Sequence, residues 1–244
     1  ASLCSNCAKK NEHLTQRKEQ LQLEENIKIL EHELKDTNLS HMNEFEGRKS
    51  VLRAFEYIDK DDQPLLKARV AREVSSSDIY LSEVIMENIL EGLPPAEIAA
   101  LLSAFVCQAK IKEFQPPEDL PESLLDAIDR TMGVCQKIQE EEAKYHLFDS
   151  REDEEDNLNS KFNLSLVQVV YEWAMQKNFA EICQLTEAQE GSIVRTILRL
   201  DILLRDVKNA CRLMGNMSLY KIIDEASHMI RRDIVFASSL YLEQ

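Results

Sequence analysis

GSIVRTILRLDILLRDVKNACRLM, residues 191–214, decides the fold class. At about 100° per residue, Ile193, Ile197, Leu200, Leu204 and Val207 fall on one stripe, the signature of an α-helix. Leu198 and Ile202 widen that stripe, so the spacing predicts a helix that is apolar on most of its circumference and central to its fold. Arg195 and Arg199 lie one turn apart on nearly the opposite side. Five cations (Arg195, Arg199, Arg205, Lys208, Arg212) face two acids (Asp201, Asp206) in this stretch, a local positive excess.

Working outward, the same period recurs on both sides. Leu14, Leu21, Leu23, Ile27, Leu30 and Leu34 give residues 9–37 a thin apolar stripe in a Glu/Lys-rich background, which predicts a long exposed helix, one arm of a coiled coil. Asn38 and Ser40 read as caps before a second helix through Met42, Phe45, Leu52 and Phe55 to about Tyr57. Asp59 to Pro64 reads as a turn and Leu65 to Val74 as a short extended passage. Ser75 to Asp78 offers caps for a helix over 79–90, and Pro94-Pro95 opens an apolar helix through Ile98, Leu101, Leu102, Phe105 and Val106. A Pro-rich loop over 114–121 precedes a helix over 122–145, and an acidic loop follows over 149–159. Helices are then expected over 164–173, 179–185 and 219–240. The short element at 179–185 before the long Arg-bearing one has the outline of a helix-turn-helix.

Composition agrees with an all-α chain. Five Gly and six Pro in 244 residues, with 30% charged and 6% aromatic residues, do not supply the turns that sandwiches and barrels need. Gly47, Gly92, Gly133, Gly191 and Gly215 stand too far apart for G-x-x-x-x-G-K-[ST] or G-x-G-x-x-G, so these residues contain no phosphate loop and no dinucleotide fingerprint. Neither a membrane span nor a signal peptide is legible, and a soluble protein without membrane contact is expected. Six dispersed cysteines suit reduced thiols; Cys4 and Cys7 form a lone C-x-x-C without the further ligands zinc requires, so no metal is expected. The net charge of −15 argues globally against nucleic acid, but binding is local.

Catalytic arrangements are thin. The histidines are scattered and pair with no Ser or Cys at a recognisable spacing. On periodicity alone, Arg195 and Arg199 either contact phosphates as bidentate donors or pair with Asp206 and the acids of a neighbouring helix. Trp173, in VVYEWA, either stacks a base or packs in the core. Arg231-Arg232-Asp233, ahead of Ile234, Val235 and Phe236, reads as a docking point on another domain or an amphipathic boundary.

Several stretches together carry a resemblance. EIAALLSAFVCQ (97–108), LVQVVYEWA (166–174), EGSIVRTILRL (190–200) and RRDIVFASSLY (231–241), with LKARVAREVSSSD (66–78), resemble the DSHCT helical domain of the superkiller-type DExH-box RNA helicases. Residues 4–55 resemble the returning helix of the arch, or stalk, inserted ahead of that domain. The resemblance implies two parts: a stalk segment over 1–57 and a ratchet-type helical bundle over 58–244. It implies a fragment starting inside the insertion, with the RecA-like motor domains, and the ATP and Mg they use, lying upstream; no cofactor and no ATPase activity are expected of these residues. The wording is nearer to the cytoplasmic superkiller helicase than to its nuclear exosome-associated relative, so a cytoplasmic location is expected.

The resemblance further implies a role. In this family the helical domain packs on the motor domains and lines the channel that passes single-stranded RNA in the 3′ to 5′ direction toward the RNA exosome, in company with superkiller-complex subunits. By motif position Arg199, and next Arg195, would contact RNA. Lys110 and Arg72 are further candidates, with departures from the family wording beside them: Ala109-Lys110 where an acid is common, and Ala68 and Arg72 where Gly and a small residue are usual. Two other readings stay open: a protein-interaction module whose Arg face never meets RNA, and a DNA-reading helix-turn-helix over 179–200.

Overall fold

The computed structural model describes residues 9–35, 37–74, 78–109, 120–145, 147, 161–232 and 235. The chain divides into two units, 1–48 and 49–244, each taken by itself. In the first, α1 (Lys10–Lys35) is a long helix whose described apolar side chains, Leu14, Leu21, Leu23 and Ile27, are all exposed. Its residues are held locally, by contacts such as Gln20 to Glu24 at 3.0 Å. A stripe this thin has no core to bury and needs a partner helix, as its pattern predicts. The next helix, α2 (Thr37–Ala54), contains Asn38 and Ser40 within its span, so neither caps it. It stops three residues short of Tyr57, where Glu56 takes φ 60°.

The second unit is a bundle of helices around one buried helix. Following α2 come α3 (Leu66–Arg72), α4 (Asp78–Met86), α5 (Pro95–Ser103), α6 (Glu122–Ala143), a 3₁₀ turn at Leu164–Leu166, α7 (Val167–Ala174), α8 (Phe179–Cys183), α9 (Glu190–Met214) and α10 (Met217–Ile230). No strand occurs among the described residues; Ile58 and Pro64 form an isolated antiparallel bridge closing the turn between α2 and α3.

The central position belongs to α5. Every residue from Ala96 to Ser103 is buried, and the helix packs on α6, α7, α9 and α10. Pro94 and Pro95 begin it, where a missing N–H costs nothing because the first turn has no intrahelical acceptor. The expectation that α9 is the central helix is corrected: Leu198, Ile202 and Leu213 are 39%, 52% and 45% exposed. α9 packs on α3, α5 and α10 through Ile193, Ile197, Leu200, Leu203, Leu204 and Val207 and leaves its other side open. Apolar residues on that side misled the reading of its circumference, since surface leucines are ordinary.

Three other boundaries differ from expectation. Leu65 to Val74 is not extended: after Pro64, Leu65 at φ −85°, ψ −177° starts α3, and Lys67, Ala68 and Arg69 are strong helix formers while Val70 and Ala71 pack inward. α4 ends at Met86 rather than Leu90 because Asn88 takes φ 54°. α10 stops at Ile230, well before 240, and Arg231 leaves helical geometry at ψ 83°. The expected loop at 114–121 (apart from Leu120 and Pro121) and the acidic loop at 149–159 lie outside the described residues.

The turn between α9 and α10 sets the direction of both. Gly215 ends α9 at φ 76°, a left-handed conformation that only Gly adopts without strain. Asn216 then caps α10, its Oδ1 accepting from Leu219 N at 3.1 Å. The two helices pack along one another, which places the end of α10 beside the middle of α9.

Candidate nucleic-acid interface

Packing the apolar stripe of α9 inward turns residues 195, 198, 199, 202, 205, 209, 212 and 213 to solvent. Arg195 and Arg199 sit one turn apart at the start of this lane, with Leu198 and Ile202 beside them. Arg195 folds back on its own turn, Nε donating to Gly191 O at 3.0 Å and Nη2 to Ser192 Oγ at 3.4 Å. Arg199 makes no hydrogen bond or ion pair among the described residues. Among the described residues neither pairs with a carboxylate, so the reading in which both are tied to internal acids finds no partner there. Arg205, Lys208 and Arg212 are engaged. Lys208 Nζ lies 2.6 Å from Asp224, Arg212 stacks on Tyr220 with its guanidinium 5.4 Å from the ring centre, and Arg205 donates to Asp201.

Asp201 is the residue that the sequence reading passed over. It is 6% exposed, on the inward side of α9 beside Leu200 and Leu204. Arg231 grips it with two bonds, Nε to Oδ1 at 2.5 Å and Nη2 to Oδ2 at 3.1 Å. Arg205 Nη2 donates to Oδ2 at 3.0 Å, and Ser227 Oγ to Oδ1 at 3.3 Å. A charge on an apolar stripe demands partners, and that was the signal available in the sequence. Burial raises the Asp201 carboxyl pKa, but the hydrogen bond and charge of Arg231, and then those of Arg205, outweigh it and hold the group below the ordinary value.

A pH prediction follows from that direction. A depressed carboxyl contributes stability fully present above its unfolded pKa of about 3.9 and lost as pH falls through the lower folded value. Asp62, bonded to Lys49, and Asp224, bonded to Lys208, are shifted the same way. Thermal melts are therefore expected to drop below about pH 4, and Asp201→Asn to flatten that acid limb. An unchanged limb in the variant would contradict the assignment.

The remaining candidates are placed as follows. Trp173 is fully buried, with Nε1 donating to Ile230 O at 2.9 Å, so it packs the core and presents no face to a base. Arg232 covers its ring at 3.7 Å and donates to Trp173 O at 2.8 Å and to Lys177 O. Arg231 and Arg232 thus both hold the end of α10 onto α9 and α7. Arg72 is exposed, 3.6 Å from Glu73, at the rim of a cleft of about 450 Å³ lined by Leu52, Tyr57, Ala68 and Val74 among others. Lys110, Asp233, Cys4 and Cys7 lie outside the described residues. Cys107, Cys135 and Cys211 are buried thiols; burial raises the first and pushes the other two up to about 12 and about 11. No three His, Cys, Asp or Glu side chains among the described residues are grouped to hold a metal ion, and no described helix is long and apolar enough to cross a membrane.

Fold and lane together define an all-α domain with a cationic face on its longest bundle helix. The chain belongs to the DSHCT family: the DSHCT (NUC185) domain matches residues 61–237. It is 42% identical, over 98% of its length, to the DExH-box ATP-dependent RNA helicase DExH11 of Arabidopsis thaliana. It is 36% identical over 97% to the antiviral helicase SKI2 of Saccharomyces cerevisiae, and 36% over 94% to the human exosome RNA helicase MTR4. These alignments cover 17%, 18% and 21% of the respective relatives, so the chain spans less than a quarter of their length.

Proposed function

We propose that this chain is the helical accessory region, with part of a stalk, of an ATP-dependent 3′–5′ RNA helicase that delivers single-stranded RNA to the exosome. The observation that carries the reading is the exposed pair Arg195 and Arg199 on α9, which meets no carboxylate among the described residues in a chain of net charge −15. Guanidiniums on an exposed helix face suit phosphate oxygens, and the adjoining Leu198 and Ile202 give bases an apolar surface. ATP and Mg belong to the motor domains of the parent, which these residues would abut rather than complete. Arg231 to Asp233 is the proposed docking point on those domains, with Arg231 keeping 42% of its side chain open while pinned to Asp201. Lys110 and Arg72 are proposed as secondary RNA contacts. Superkiller-type subunits and the exosome are the proposed protein partners, in the cytoplasm, with the nucleus as the location if the parent is of the exosome-associated kind.

The DNA-reading alternative has little support. α8 is five residues long, and α9 carries Glu190 in the first turn that a recognition helix would push toward phosphates. The test is Arg199→Glu in the parent helicase. RNA affinity at about 0.15 M salt is expected to fall roughly ten-fold, since one phosphate contact is lost and a repulsion added, with RNA-stimulated ATP hydrolysis falling alongside and RNA-free hydrolysis unchanged. Wild-type unwinding and RNA affinity in that variant would exclude the lane and favour the protein-interaction reading.

A further inference from the structure

Four arginines, Arg195, Arg199, Arg205 and Arg212, lie along the open side of α9; Arg212 rests on Tyr220, and Arg205 is restrained by a carboxylate. Arg205 lies six residues beyond Arg199, about 9 Å along the axis, next to Ile202. Its side chain is 59% exposed, yet its Nη2 is turned to Asp201 Oδ2 at 3.0 Å. The same carboxylate takes the two bonds from Arg231 and the one from Ser227, so one anion on the inward side of α9 holds two cations away from the lane.

The arrangement is more than a fold anchor needs. Arg231 and Ser227 already satisfy Oδ1, and Arg231 reaches Oδ2 as well. Arg205 adds an exposed pair between residues four apart on one helix, a modest contact that still biases the guanidinium toward Asp201 and against a phosphate passing along the lane. In a protein whose substrate strand must slide, each added phosphate contact steepens the grip and slows release.

We infer that Asp201 is a positioning residue that limits the strand-contacting lane to Arg195 and Arg199 by holding Arg205, and with it Arg231, in an internal cluster. The inference rests on the RNA reading of the lane proposed above. Removing the charge at Asp201 frees Arg205 for a further phosphate, and the result is tighter and more salt-dependent binding rather than weaker binding. For single strands each phosphate contact adds about 0.7 to the slope of log affinity against log salt, which corresponds to about four-fold in affinity at about 0.15 M salt.

The experiment uses the full helicase and a fluorescein-labelled oligouridylate, with affinity measured across a salt series. Asp201→Asn is expected to bind about four-fold tighter at about 0.15 M salt, with a slope steeper by about 0.7, or about twice that where Arg231 joins. Adding Arg205→Gln to it should remove the Arg205 share of the gain. Weaker binding at an unchanged slope, or no change, overturns the inference and leaves Asp201 as a fold anchor. If Asp201→Asn does not fold, Arg205→Gln alone decides. Affinity within two-fold of wild type agrees with a sequestered Arg205, and a larger loss shows that Arg205 already touches the strand. Failure of the underlying reading is separable, because only that failure leaves Arg199→Glu binding RNA as wild type does.

Discussion

Trp173→Ala is expected to destabilise the bundle by about 3–5 kcal/mol, the range for truncating a fully buried large aromatic side chain. The ring has no exposed surface and meets Phe179 edge to face, with centroids 6.1 Å apart and planes at 87°. It carries two further connections. Its Nε1–H satisfies the carbonyl of Ile230, the last residue of α10, and its π face supports the Arg232 guanidinium at 3.7 Å. Truncation therefore opens a cavity and also strands a carbonyl and a cation near the end of α10. For a unit of this size, each kcal/mol moves Tm by about 2–4 °C, so a fall on the order of 10 °C is expected by circular dichroism. Amides in the last turn of α10 should lose hydrogen-exchange protection first. Trp173→Phe keeps most of the packing and should cost about 1–3 kcal/mol, largely for the unpaired carbonyl. A melt of Trp173→Ala within a few degrees of wild type would contradict this account of how α10 is held.

What could be read in advance, and what could not, follows from the range of each interaction. α5, α6 and α9 were legible because strong punctuation flanks a sustained 3.6-residue period: Pro94-Pro95 before α5, Pro121 before α6 and Gly215 after α9. α3 was not legible, because Leu66–Arg72 is too short for periodicity and only the inward packing of Val70 and Ala71 settles it. The early stop of α10 is likewise tertiary in origin: Trp173, Asp201 and Lys177, all remote in sequence, take up the backbone and side chains at 230–232. In the candidate site, Arg195 and Arg199 stood out by their placement opposite an apolar stripe. The Asp201 cluster did not, since its partners at 227 and 231 reach it only once α10 lies along α9. The reading of α9 as central failed for a related reason: periodicity ranks faces by hydrophobicity but does not say how many neighbours are available to cover them.

Lys67→Met is expected to cost about 2–4 kcal/mol, although it replaces a charged side chain with an apolar one of similar length. The reason lies in its partner. Glu83, on α4 between Leu81, Val84 and Ile85, has a side chain only 6% exposed, and Lys67 Nζ meets both of its oxygens, at 2.9 and 3.2 Å. The ammonium also lies 5.7 Å from the centre of the Tyr57 ring, so the pair joins the turn after α2 to α3 and α4. Removing the lysine leaves a carboxylate in an apolar setting without its cation. Removing the carboxylate instead, as in Glu83→Gln, leaves a lysine with 27% of its side chain in solvent, which can extend its ammonium to water, and about 1–2 kcal/mol is expected. Replacing both, as in Lys67→Met with Glu83→Met, removes the unmatched charge altogether and should lie within about 1 kcal/mol of wild type. Urea unfolding of the four proteins therefore has a required order: Lys67→Met least stable, Glu83→Gln next, and the double variant close to wild type. Additive losses in the double variant would mean that each side chain stabilises through separate contacts, and the pair would then not be what joins α3 to α4.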